Sequence, residues 1–67
     1  MDASTQRMVE DIYHEAADEA VGRGGNLLTA HKEGVVAAAM MLAALLGVED
    51  EVARSSVVGL NLRPSRD

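Results

Sequence analysis

The polar residues best spaced for chemistry lie near the N-terminus, in a stretch with a helical pattern. Glu10, His14 and Asp18 recur at four-residue steps. Residues four apart share a helix face, so one helix would present carboxylates and an imidazole together, as a metal site requires. Helical metal sites take further carboxylates from a second helix, and here that helix offers only His31 and Glu33. We therefore interpret this stretch as a solvated helix face and expect neither a metal nor a cofactor.

Other arrangements for catalysis are weaker still. A glycine-rich turn at residues 22–26 precedes His31 and Lys32, but the chain lacks the Gly-x-x-x-x-Gly-Lys-Ser/Thr pattern of a phosphate-binding loop. The serines fall in predicted caps or tails, and so short a chain offers no place to bury a catalytic triad. The sequence therefore predicts a protein without enzymatic activity.

Charge is divided unevenly along the chain, whose net charge is −5. Residues 2–19 carry six acids and one base, whereas residues 52–66 carry three arginines and no acid. The acidic balance argues against extensive binding to nucleic acid or to an anionic membrane. It also leaves two candidate partner-binding surfaces, an acidic helix face and an arginine-bearing tail, whose residues are Glu10, Asp11, Glu15, Asp18, Arg54 and Arg63.

An apolar run at residues 35–46 contains twelve residues without a polar side chain, so the rest of the chain must be arranged to cover it. Alanine, leucine and methionine favour helix, and twelve residues are fewer than the roughly 20 that span a bilayer. We expect a helix over about residues 30–46, with Thr29 as its N-cap and Gly47 as its end.

This second helix is apolar on every side, and a helix of that kind is buried on every side. Its heavier face carries Val35, Leu42 and Leu45, and we expect that face to meet the first helix. Its lighter face is predicted to meet a second copy of the chain through Val36, Met40, Ala43 and Gly47. The alternative is that this helix lies in the core of a monomer.

The first helix is expected over about residues 5–21, capped by Asp2, Ser4 or Thr5, with an apolar face that includes Tyr13. A glycine-rich turn at residues 22–28 follows, and Leu27 and Leu28 are expected to tuck beneath it. So short a connection predicts that the two helices are antiparallel neighbours.

The last third, residues 48–67, is predicted to be a short helix or a tail. Residues 48–54 fit either a third helix or an extension of the second helix. In residues 55–63, Val58, Leu60 and Leu62 alternate with smaller or polar residues, as in a strand, but an extended packed tail is the favoured interpretation.

Sixty-seven residues without cysteine make one small domain with no disulfides, so oligomerisation is the expected source of added stability. The sequence predicts an all-α, cytoplasmic, self-associating interaction module with a protein partner and no membrane, and no signal peptide is apparent. The alternative is a small regulator that binds nucleic acid through its C-terminal arginines, or an acidic nucleic-acid mimic of phage or mobile-element type. The partner, the oligomer symmetry and the biological process stay open.

Overall fold

Three helices make up the fold: α1 (Ala3–Gly22), α2 (Leu27–Leu46) and α3 (Asp50–Gly59). The structure is a computed structural model and describes residues 1–64, a range that contains no strand. α2 packs against both α1 and α3. The molecule is 33 Å long, and a 20-residue helix spans about 30 Å, so α2 runs through most of its length. The all-α prediction is confirmed, and a helical hairpin of α1 and α2 fits these contacts.

The first two helices begin at side-chain caps. The Asp2 carboxylate accepts a hydrogen bond from the Thr5 amide at 2.7 Å, and the Asn26 side-chain oxygen accepts one from the Thr29 amide at 2.8 Å. Thr29 is therefore not the N-cap of α2, and that prediction is wrong. Because α2 begins earlier, Leu27 and Leu28 form its exposed first turn instead of tucking beneath the loop.

Each helix is followed by a residue with positive φ, a conformation that glycine and asparagine tolerate best. These residues are Gly24 (φ +90°), Gly47 (φ +68°) and Asn61 (φ 56°). After α1, the Gly25 amide turns back to donate to the Ala20 carbonyl at 2.9 Å, which satisfies one of the helix's free carbonyls. Gly47 ends α2 as the sequence predicted.

The third helix is present and longer than expected. Residues 55–59 belong to α3, so the favoured interpretation of that stretch as an extended tail is wrong, as is the strand alternative. Ala53 and Val57 are four residues apart and both buried, which is a helical spacing. The turn at Gly47 separates α3 from α2, so α3 is not an extension of α2. Predictions for Ser65, Arg66 and Asp67 lie outside the described residues.

The core consists mainly of small side chains. Seven of its twelve residues are alanine, and the larger members are Val9, Tyr13, Val35, Leu42 and Val57. Alanine allows helices to approach closely but removes little apolar surface from water. Of the predicted heavier face of α2, Val35 and Leu42 are buried, whereas Leu45 lies half exposed beyond the core.

Candidate functional site

The predicted self-association residues divide into exposed and buried members. Val36 is 43% exposed and Met40 is 65% exposed, and Gly47 is exposed as well. Ala43 is only 9% exposed, so it belongs to the core of the chain. We call the exposed residues Val36, Met40 and Ala44, which are four residues apart, the outer strip of α2; Gly47 follows at the end of the helix.

Two shallow grooves flank Val36. The groove on the α1 side is lined from α1 by Ala16 and Glu19, and from α2 by Lys32, Glu33, Val36, Ala37 and Met40. The groove on the α3 side is lined from α3 by Arg54 and Val58, and from α2 by His31, Lys32, Val35 and Val36. Val36 lines both grooves and therefore lies on the ridge between them.

Two carboxylates line the α1-side groove, and one arginine contacts both of them. Arg23 lies just past α1 and bonds the Glu33 carboxylate at 2.6 Å, and it lies 3.6 Å from the Glu19 carboxylate. The hydrogen bond to Glu33 raises the pKa of the Arg23 guanidinium above its ordinary value. The bond ties the end of α1 to the first turns of α2.

The α3-side groove has a basic edge. Arg54 and Lys32 line it, and within residues 1–64 neither forms an ion pair. Asp50 and Glu51 share a separate shallow groove with Arg54 but form no ion pair with it either. Lys32 lines both grooves, so the two grooves differ in that the α1 side adds two carboxylates paired with Arg23, whereas the α3 side adds Arg54.

The acidic face of α1 is solvated along its length. Asp11, Glu15 and Asp18 are exposed, and the half-buried Glu10 accepts a hydrogen bond from the Gln6 side chain at 3.1 Å. Within the part of the chain that the structure describes, no group of three or more potential metal-binding side chains comes together. His14 instead packs edge-on against the Tyr13 ring with centroids 5.2 Å apart, and its buried Nδ1 has no hydrogen-bond partner.

A polar contact that the sequence did not indicate joins three parts of the chain. Tyr13 is fully buried, its hydroxyl lies 2.7 Å from Nδ1 of His31, and it also reaches the Leu62 carbonyl at 3.4 Å. Burial raises the pKa of the Tyr13 phenol, and the nearby Arg63 guanidinium partly opposes that rise. Tyr13 thereby links α1, α2 and the segment after α3. The one available signal was a single tyrosine on an otherwise aliphatic helix face.

A glycine inside α2 makes this contact sterically feasible. A Cβ atom placed on Gly34 would lie 2.7 Å from two carbons of the Tyr13 ring and 3.0 Å from the Tyr13 carbonyl oxygen. The Tyr13 ring therefore packs directly on the backbone of α2. A glycine within an apolar helix often marks close packing of this kind.

The two predicted arginines lie on either side of His31. His31 lines the α3-side groove with Arg54, and it lines a further groove with Leu27, Leu28, Arg63 and Pro64. Arg54, Arg63 and Lys32 are therefore gathered at one end of the molecule, near the start of α2. Arg66, the third arginine of the predicted tail, lies outside the described residues.

α2 is longer than the twelve-residue apolar run that was too short to span a bilayer. The apolar run of twelve residues lies within a helix of 20 residues, Leu27–Leu46. By length and composition, this helix could cross a membrane. In the most apolar part of this helix, 39% of the residues are buried within the chain. The core helices of water-soluble proteins can be equally long and apolar.

Comparison with protein-family models, with curated proteins and with solved structures finds no match to this chain. The function of the chain is therefore inferred from its residues and their geometry alone.

Proposed function

We propose that this chain is a non-enzymatic interaction module that forms a homodimer through the outer strip of α2. The observation that carries the proposal is the exposure of Val36 and Met40 in the middle of the central helix. Over residues 1–64 as a whole, more large apolar residues are exposed than buried, twelve against five. Exposed apolar patches of this kind mark interaction surfaces in small soluble proteins.

The energetics favour association. A chain of this size buries a smaller fraction of its surface than a larger domain does, and a core dominated by alanine removes less apolar surface from water. Removing apolar surface from water contributes about 25 cal/mol per Å², so packing two outer strips together would add stability that the monomer lacks. Disulfides cannot supply it, because the chain contains no cysteine.

The proposed unit is an antiparallel hairpin of α1 and α2, closed by α3. The support for the antiparallel arrangement is the bond between Arg23, just past α1, and Glu33, near the start of α2. Asp11, Glu15 and Asp18 on the acidic face of α1 are exposed, and this face is the surface proposed for a protein partner. We place such a module in the cytoplasm.

Solution mass across a dilution series tests the proposal. We expect the unmodified chain to be a dimer, and Met40→Glu to be a folded monomer because it places a charge on the outer strip. Val52→Glu is the matched control, since Val52 is 52% exposed, lies on α3 and lines neither groove beside α2. Sedimentation at low and high salt gives the mass, and circular dichroism verifies the fold. An unmodified chain that is monomeric at all concentrations would exclude self-association.

A second candidate function is weak binding of nucleic acid by the basic end of the molecule. The observation that favours it is the gathering of Lys32, Arg54 and Arg63 around His31. Binding by these residues would weaken steeply as salt rises, because phosphate contacts release counterions. A fluorescent duplex titrated at several salt concentrations measures that slope, whereas the α2 dimer should respond little to salt.

A further inference from the structure

We propose that the groove at the start of α2 is a binding site for a small carboxylate that carries a short apolar chain. Residues of α2 and of the segment after α3 line this groove: Leu27, Leu28, His31, Arg63 and Pro64. None of the residues of the outer strip lines it, so the site does not depend on the self-association proposed above.

The composition of the groove is that of a small-ligand site. Its volume is about 580 Å³. Ligand sites in proteins span roughly 300–1,000 Å³, and they combine mostly apolar walls with a few polar groups that orient the ligand. Here three of the five lining residues are apolar, two are polar, and none is a carboxylate that would repel an anion.

Tyr13 determines which nitrogen His31 offers to a ligand. The Tyr13 hydroxyl lies 2.7 Å from Nδ1 of His31 and 3.4 Å from the Leu62 carbonyl oxygen. Because only the first distance is that of a strong hydroxyl hydrogen bond, the hydroxyl donates to Nδ1, and the ring hydrogen of His31 is then on Nε2. Within residues 1–64, Nε2 has no hydrogen-bond partner and is not buried. His31 therefore offers a fixed N–H donor.

Arg63 supplies the positive charge of the site. It is exposed and forms no ion pair with any other residue of the range 1–64. Its guanidinium lies close enough to the Tyr13 hydroxyl to oppose the rise that burial causes in the pKa of Tyr13. Arg63 and the imidazole that Tyr13 holds are therefore near one another. A guanidinium binds a carboxylate through two parallel hydrogen bonds, which are stronger than those between neutral groups.

The apolar wall selects the rest of the ligand. Leu27 is 46% exposed and Leu28 is 62% exposed. An alkyl chain that lay on these leucines would remove apolar surface from water, which favours binding. Free phosphate brings no such chain, and a neutral apolar molecule leaves the guanidinium of Arg63 without an anion. A carboxylate with a short apolar chain matches both parts of the groove.

Titration with hexanoate tests the site. The chain contains two histidines, and His14 does not line the groove, so NMR compares His31 with an internal reference. At constant pH, hexanoate should shift the ring resonances of His31 until they saturate and should shift those of His14 much less. Hexanamide has the same shape without the charge and should bind about tenfold more weakly. Acetate, which lacks the alkyl chain, should also bind more weakly than hexanoate.

Substitutions assign the two parts of the site. Arg63→Met should weaken hexanoate binding about tenfold, because it removes the guanidinium. Leu28→Ser should weaken the binding of hexanoate but not that of acetate. The matched control is Arg7→Met, which removes the same charge from an exposed position on α1 outside the groove and should leave binding unaltered. Circular dichroism verifies that each variant folds.

Each contrary result overturns a definite part of the proposal. Absence of a saturable shift at His31 would exclude the site, and equal binding of hexanamide would exclude the preference for a carboxylate. Inorganic phosphate that shifts His31 as strongly as hexanoate does would exclude the role of the apolar chain. The dimer is tested separately, because Met40 lies outside this groove and the solution mass does not depend on hexanoate.

Discussion

At the scale of single residues, the contact between Tyr13 and Gly34 determines how closely α1 and α2 pack. Gly34→Ala should destabilise the fold by about 1–2 kcal/mol, because the new methyl group would overlap the Tyr13 ring. This is a net figure, since the overlap alone costs about 1–3 kcal/mol and alanine brings a gain of up to about 1 kcal/mol inside a helix.

Urea denaturation measures the effect, and Gly22→Ala is the control. A Cβ atom at Gly22 would meet nothing within 4 Å, so that change should leave stability unaltered or raise it. Equal effects of the two substitutions would contradict the packing argument.

The hydroxyl of Tyr13 gives a second prediction at this scale. Tyr13→Phe removes the bond to His31 and the contact with Leu62, and should cost about 1 kcal/mol at neutral pH. The pKa of Tyr13 is raised above its ordinary 10.0 in the folded chain. The folded state therefore holds this proton more tightly than the unfolded state does.

Stability from this group is complete below about pH 10 and is lost as pH rises through the pKa of folded Tyr13. Urea denaturation from pH 8 to 11 should show a smaller alkaline loss for Tyr13→Phe than for the unmodified chain. Comparing the two chains removes the contribution of other groups such as Lys32. Identical pH profiles would mean that the phenol makes no such contribution.

Sequence reasoning placed Tyr13 correctly on the apolar face of α1 but missed its partners. Which residues of α2 meet Tyr13 depends on how the two helices are rotated about their axes, and the apolar pattern of α2 fits many rotations. Gly34 fixes the rotation by admitting the ring at one position. The contact between Tyr13 and Leu62 spans most of the chain and has no local signal.

At the scale of elements, the caps define where the helices begin. Asn26→Ala should destabilise the chain by about 1 kcal/mol, because it leaves the Thr29 amide without its acceptor. Asn26→Asp retains an acceptor in the same place and is the matched control. Thermal unfolding followed by circular dichroism measures both, and an equal loss for the two variants would contradict a capping role.

The cap of α1 depends on charge as well. The bond from the Thr5 amide lowers the pKa of the Asp2 carboxyl below its ordinary 3.8. Its contribution to stability is therefore present above that pH and is lost as pH falls through the pKa of folded Asp2. Asp2 was among the three caps that the sequence allowed, and the structure selects it.

The boundaries of α2 and α3 show where local patterns were insufficient. Asn26 and Thr29 are both good N-cap residues, and two apolar leucines between them gave no reason to prefer the earlier one. In α3, the alternation of Val58 with Leu60 suggested an extended chain. The helical spacing of Ala53 and Val57 determined the outcome, because it places two buried side chains against α2.

At the scale of the whole molecule, the all-α architecture followed from composition and the apolar run. The sequence also indicated that α2 has more apolar surface than one hairpin can cover. It did not indicate how α3 shares that task, because α3 was only one of several possibilities. With α3 in place and Ala43 buried, the surface left for a second copy narrows to Val36, Met40 and Ala44.

The contact from Tyr13 to Leu62 also bears on how the protein is made. The hydroxyl belongs to α1, whereas the carbonyl it reaches lies 49 residues later in the chain. α1 and α2 can associate while synthesis continues, but Tyr13 keeps an incomplete set of contacts until residue 62 has been added. The nascent hairpin of α1 and α2 therefore lacks one contact of the Tyr13 hydroxyl until the segment after α3 has folded back onto it.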